Sequence, residues 1–78
     1  MANDVAKYVV CDLNGGERII VFSARIRHDT FSNLNPIRAG FVGFYENKAS
    51  CFGKSISLGL KSDEELDSKL VNEGILNI

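Results

Sequence analysis

His28 is the only histidine in 78 residues. Beside Asp29 it marks the one place where an acid–base pair could form, since an imidazole oriented by a carboxylate can take a proton from a nucleophile such as Ser23, Ser32 or Cys51. Adjacent side chains rarely point the same way, and no GxSxG elbow accompanies the pair. His28 therefore reads as a loop or helix-surface residue, and no catalytic residue is expected. Metal binding fails on ligand supply. Cys11, Cys51 and His28 offer at most three soft ligands, without the CxxC or HExxH spacing that assembles a site. Both cysteines lie in apolar runs and read as small buried hydrophobes. Asn14 to Glu17 (NGGE) is glycine-rich but lacks the lysine and Ser/Thr of a phosphate-binding loop, so it reads as a turn. No metal and no cofactor is expected.

What remains is surface recognition. The net charge is −1, yet the charges are segregated along the chain. From Arg18 to Lys61 the bases Arg18, Arg25, Arg27, Arg38, Lys48, Lys54 and Lys61 face only Asp29 and Glu46. From Ser62 onward Asp63, Glu64, Glu65, Asp67 and Glu73 face only Lys69. A basic sheet surface and an acidic helix, meeting in the fold or across a subunit contact, account for this pattern.

The segment Arg38 to Tyr45 (RAGFVGFY) resembles the aromatic RNA-contacting strand of RNA-recognition domains, and Tyr8 to Leu13 (YVVCDL) resembles their first strand. Single-stranded nucleic acid bound there would stack bases on Phe41, Tyr45 or Phe52 and place phosphates at Arg38 and Lys54. Two features depart from that family. Ala39 separates the basic residue from the glycine, and a glycine turn follows the first strand where the family has a helix.

The elements that must position these residues are legible in outline. Lys7–Leu13 and Arg18–Ser23 are rich in β-branched and aromatic types, and Asn14, Gly15 and Gly16 between them suit a hairpin turn. Both strands carry apolar residues on both faces, which predicts a sheet covered twice. Ser23–Asn35 reads either as a helix capped by Ser23, with Ile26, Thr30 and Leu34 one turn apart, or as a strand continued through Arg25 and Arg27 with a short helix from near Asp29; a short helix stopped by Pro36 is favoured. A second hairpin runs through Ile37–Tyr45 and Ala49–Leu58, with Glu46, Asn47 and Lys48 at its turn. Gly40, Gly43 and Gly53 inside these strands predict bulges, twist or close backbone approach. At the C-terminus Ser62 and Glu65 form a capping box for a helix to Glu73, with Leu66 and Leu70 as its buried stripe, Gly74 as its stop and Ile75 closing on Leu70.

The expected fold is thus one small α+β domain over residues 1–78: a mainly antiparallel sheet of about four strands in the order β-β-α-β-β-α, with the C-terminal helix packed on one face. The hydrophobic fraction of 45% and charged fraction of 24% exclude disorder and low complexity. No apolar run approaches the ~20 residues that span a bilayer, and no secretory signal opens the chain. A cytoplasmic protein with no membrane partner is expected. In size and texture it is similar to the small accessory proteins of phages and other mobile elements. Its expected function is non-enzymatic binding, as an adaptor or inhibitor of a protein partner, with single-stranded nucleic acid as the alternative ligand. The expected interaction surface is Arg38, Phe41, Phe44, Tyr45, Phe52, Lys54, Leu76 and Ile78. Because one helix cannot cover every apolar strand face, a homodimer is expected through the aromatics of that set together with Leu76 and Ile78.

Overall fold

The computed structural model describes residues 4–73 and 76–77. Strand β1 (Asp4–Leu13) turns at Asn14–Gly15 into β2 (Gly16–Phe22), with Val9 opposite Ile20 and Tyr8 opposite Val21. The chain then passes through 3-10 turns over His28–Leu34, broken at Phe31. Asn35 ends them in the left-handed region (φ 58°), the conformation open to a short polar side chain when Pro36 forbids the helical one. Strand β3 (Pro36–Tyr45) pairs with the other side of β1, and β4 (Lys48–Phe52) folds back on β3 through Glu46 and Asn47, both at positive φ. Two short strands, β5 (Lys54–Ser55) and β6 (Leu60–Lys61), form a flap before helix α1 (Glu64–Glu73), and β7 (Leu76–Asn77) lies parallel to β2. The sheet order is β4-β3-β1-β2-β7, its four long strands antiparallel. The α+β architecture is the one the sequence predicts.

Both faces of the sheet are covered from within the chain. On one face Tyr8, Val10, Ile19, Val21, Val42 and Cys51 pack with Val71 of α1. On the other, Val9, Cys11, Ile20, Phe22 and Ala39 pack with Phe31 of the 3-10 segment and with Leu58 and Leu60 of the flap. Most of the apolar strand residues are thereby covered from within the chain, while Val5, Phe44, Tyr45 and Phe52 stay exposed. The thiols of Cys11 and Cys51 are buried on opposite faces and unpaired.

The outer edge of β4 is closed as well. Asn72 of α1 acts like a short strand: its amide donates to the Ala49 carbonyl at 3.1 Å, and its carbonyl accepts the Ala49 N–H at 3.0 Å. The Ser68 hydroxyl accepts the Cys51 N–H at 2.8 Å. Capping the outward backbone groups in this way removes a template for strand addition.

Three local expectations are corrected. The second strand of the second hairpin stops at Phe52 instead of Leu58, because Gly53 (φ 79°) turns the chain out of the sheet. There the Phe52 carbonyl crosses Gly40, where an added Cβ would sit 2.5 Å from the Phe52 oxygen. The helix cap lies one residue later than Ser62. Asp63 Oδ1 accepts the Leu66 N–H and Asp67 Oδ2 accepts the Asp63 N–H, while the Ser62 hydroxyl donates to the Gly53 carbonyl. The buried stripe is accordingly rotated: Asp67 and Val71 face the sheet, Leu70 is half-buried, and Leu66 is 40% exposed. The expected stop at Gly74 and the Ile75 closure lie outside the described residues.

Candidate functional site

The buried charges form a strut. Asp67 is fully buried and accepts three hydrogen bonds, from Tyr8 Oη at 2.5 Å, Arg38 Nε at 2.7 Å and the Asp63 N–H at 2.9 Å. Arg38 also reaches Glu17 Oε1 at 2.8 Å. Burial opposes the guanidinium's charge, but the bonds to Glu17 and Asp67 outweigh it and raise its pKa. The same Arg38 contact holds the Glu17 carboxyl below its usual range. Burial, reinforced by the Asp67 carboxylate, pushes the Tyr8 hydroxyl far above its ordinary value. Burial lifts the Cys51 thiol to about 12, with Asp67 adding to the effect. Three elements are tied together at one carboxylate, and the cluster is satisfied internally. Arg38 therefore lies beneath the helix, on the opposite face from Phe41, Tyr45 and Phe52.

His28, expected at a loop or helix surface, is instead inside the fold. It is buried edge-on between Phe22 and Phe41, with ring centroids 5.7 and 5.5 Å away, and its Nε2 bonds the Gly40 carbonyl at 2.7 Å. Burial lowers its pKa; the Gly40 bond opposes this in part, Lys7 adds a lesser lowering, and Asp29 opposes it least. The Asp29 carboxylate is held by Arg27 through two bonds of 3.1 and 2.8 Å. Among the described residues no cluster of three His, Cys, Asp or Glu could hold a metal ion, and no helix is long and apolar enough to cross a membrane.

The other sequence-derived residues gather around the β3–β4 hairpin. Strand alternation puts Val5, Lys7, Phe41, Tyr45, Lys48 and Phe52 on the face away from α1. Phe41 and Phe52 are directly opposed across the strands and stack at 5.9 Å with planes 26° apart. Beside them is a groove of about 510 Å³ between the sheet and the flap. Its floor is His28 and Phe41, its walls Phe52 and Ile56, and its rim Lys7 and Lys54. A neighbouring hollow of about 300 Å³ shares Phe52 and reaches Val5, Phe44 and Tyr45. Tyr45 is 65% exposed, Ile56 86% and Phe52 41%. Phe44 points to the helix side, where it lines a separate cleft of about 250 Å³ with Val71 and Asn72.

Phe41, Phe52 and Lys54 thus share one groove, with Tyr45 next to it and Arg38 apart. The backbone of Leu76 pairs with Ile20 in β7; its side chain and the whole of Ile78 lie outside the described residues. Sequence reasoning missed Lys7, Val5 and Ile56. Lys7 had a signal, the one basic residue beside the apolar run of β1, whereas Ile56 was absorbed into a strand that ends before it.

The molecule is a two-face-covered antiparallel sheet carrying an aromatic groove at one hairpin. Compared with protein-family models, curated proteins and solved structures, the chain matches none.

Proposed function

We propose that this chain is a non-enzymatic binding module that acts by occupying a protein partner's surface with the groove face of the β3–β4 hairpin and the flap. The observation that carries this reading is the cluster of Val5, Tyr45, Phe52 and Ile56, all exposed, around a concave floor on a sheet whose other face is packed by α1 and whose β4 edge is capped by Ser68 and Asn72. Phe44 and Leu66 are also exposed, on the helix side, but four of the six exposed large apolar side chains among the described residues gather on the groove face, and such patches mark interaction sites. An adaptor or inhibitor needs only such a surface. A reducing cytoplasm suits its two buried thiols.

The test is photocrosslinking in the source cell from a reactive side chain placed at Ile56, at Tyr45, or at Glu65 on the exposed side of α1. One discrete protein adduct from Ile56 and Tyr45, and none from Glu65, is expected. An adduct from Glu65 alone would defeat the assignment. A second reading, single-stranded nucleic acid, draws on the lysines beside the stacked aromatics. Three lysines would give a slope of about −2 in log affinity against log salt, at about −0.7 per phosphate.

A further inference from the structure

We propose that the groove between Phe52 and Ile56 receives an acidic peptide segment of the partner, its apolar anchor on the Phe41–His28 floor and its carboxylates at Lys7 and Lys54. This rests on the binding-face reading above and adds the chemistry of the occupant. The sheet separates charge. Lys7 and Lys54 line the groove, Lys7 with one ammonium proton donated to the Ile26 carbonyl at 3.0 Å and the others left for a ligand, and Lys48 lies on the same face at the hairpin end. No acid lines the groove: Glu17 and Asp67 are bound to Arg38 on the other face, Asp12 stands opposite Glu17, Asp29 is bound to Arg27, Asp63 caps α1, and Glu64, Glu65 and Glu73 ride on it. Glu46 sits at the hairpin tip.

A lysine-rimmed apolar groove with no acid in its lining selects an anionic, hydrophobic occupant. A second copy docking this same face would bring like charges together without a counter-ion, which costs affinity. Nucleic acid fits the groove less well. Phe41 and Phe52 already cover one another's rings, which leaves less surface for bases than an open aromatic platform. Arg38, which could have bound phosphate, is spent on Asp67 and Glu17. One anchor side chain flanked by one or two carboxylates matches both the shape and the charge. Ile56 at the flap tip then closes over the anchor.

The experiment pans a random dodecapeptide display library against the full chain, then measures enriched peptides by fluorescence polarisation on the wild type, Ile56→Asp and Lys54→Glu. Both positions are exposed, so an unchanged urea midpoint is the check that the variants fold. Enriched peptides should carry several Asp or Glu around an aromatic or aliphatic residue. Their affinity should fall at least tenfold in each variant and weaken with salt. Peptides that lose binding in Ile56→Asp but are neutral or basic would overturn the acidic occupant and leave the face standing. Peptides indifferent to both variants, or no enrichment at all, would overturn the face as well. A labelled dT12 strand that binds more tightly than the peptides and depends on Lys54 would assign the groove to nucleic acid. A dimer in sedimentation that Ile56→Asp dissociates would assign it to a second copy.

Discussion

Replacing Asp67 by alanine should remove a large share of the domain's stability. The side chain is fully buried, and its loss strands the Tyr8 hydroxyl, the Arg38 Nε and the Asp63 N–H, which it binds at 2.5, 2.7 and 2.9 Å. Breaking a buried ion pair by removing one partner costs about 3–5 kcal/mol; Arg38 keeps Glu17 at 2.8 Å, but its Nε and the Tyr8 hydroxyl lose their acceptor in a poorly solvated site. A domain of 78 residues has a total stability of about 4–12 kcal/mol. The substitution therefore removes between a quarter of the margin and all of it. With a urea dependence of about 1 kcal/mol per molar, the midpoint should fall by about 3 M or more. Tyr8→Phe deletes one bond to the carboxylate and leaves the other two, so its loss should be smaller, about 1.5–3 kcal/mol. The combination Tyr8→Phe with Asp67→Leu should lose less than the sum of its single variants, since apolar groups replace both bonded partners. Urea titrations followed by circular dichroism measure all of these. If Asp67→Ala cost under 1 kcal/mol, or no more than Glu65→Ala on the exposed side of the helix, the carboxylate would not be the strut described above.

Burial holds the His28 imidazole below its ordinary value of 6.5, so the unfolded chain protonates first as pH falls, and stability should decline from pH 7 toward pH 5; His28→Gln, whose amide can still donate to Gly40, should flatten that profile in urea titrations. The window stops at pH 5 because Glu17 and Asp29, held low by Arg38 and Arg27, begin to lose their contributions below it. The Cys51 thiol, raised to about 12, and the Cys11 thiol, raised by burial, should react with Ellman's reagent at pH 8 only after denaturant is added; two fast equivalents in the native protein would contradict their burial. Gly40→Ala should destabilise by about 1–3 kcal/mol, since its Cβ would meet the Phe52 carbonyl at 2.5 Å, whereas Gly43→Ala, with its nearest contact at 3.7 Å, should lose less in the same assay.

Much of the architecture is local in origin and was therefore legible. The Asn14–Gly15 turn, the stop before Pro36 and the acidic first turn of α1 are properties of a few consecutive residues. The doubled apolar pattern of Tyr8–Leu13 and Ile19–Phe22 announced a sheet covered on two sides. It did not say by what. The second cover is the 3-10 segment and the flap, whose Phe31, Leu58 and Leu60 show no long periodicity. The helix phase was misread because Leu66 looks like a core residue and Asp67 like a surface one. That ranking reverses once Tyr8 and Arg38 supply the bonds that make a buried carboxylate tolerable.

The candidate surface divides along the same line. Strand alternation and cross-strand register are set by the hairpin, so Phe41, Tyr45 and Phe52 were placed near one another by sequence alone. The segregation of basic middle and acidic tail was equally plain. Which face each charge occupies was decided by tertiary structure. Arg38 and Lys54 lie in the same basic stretch, yet one is drawn under α1 by Asp67 and Glu17 while the other stands at the groove rim. Ionic pairing and burial depend on groups 21 to 59 residues apart, and that distance is closed only when the sheet, the flap and the helix come together.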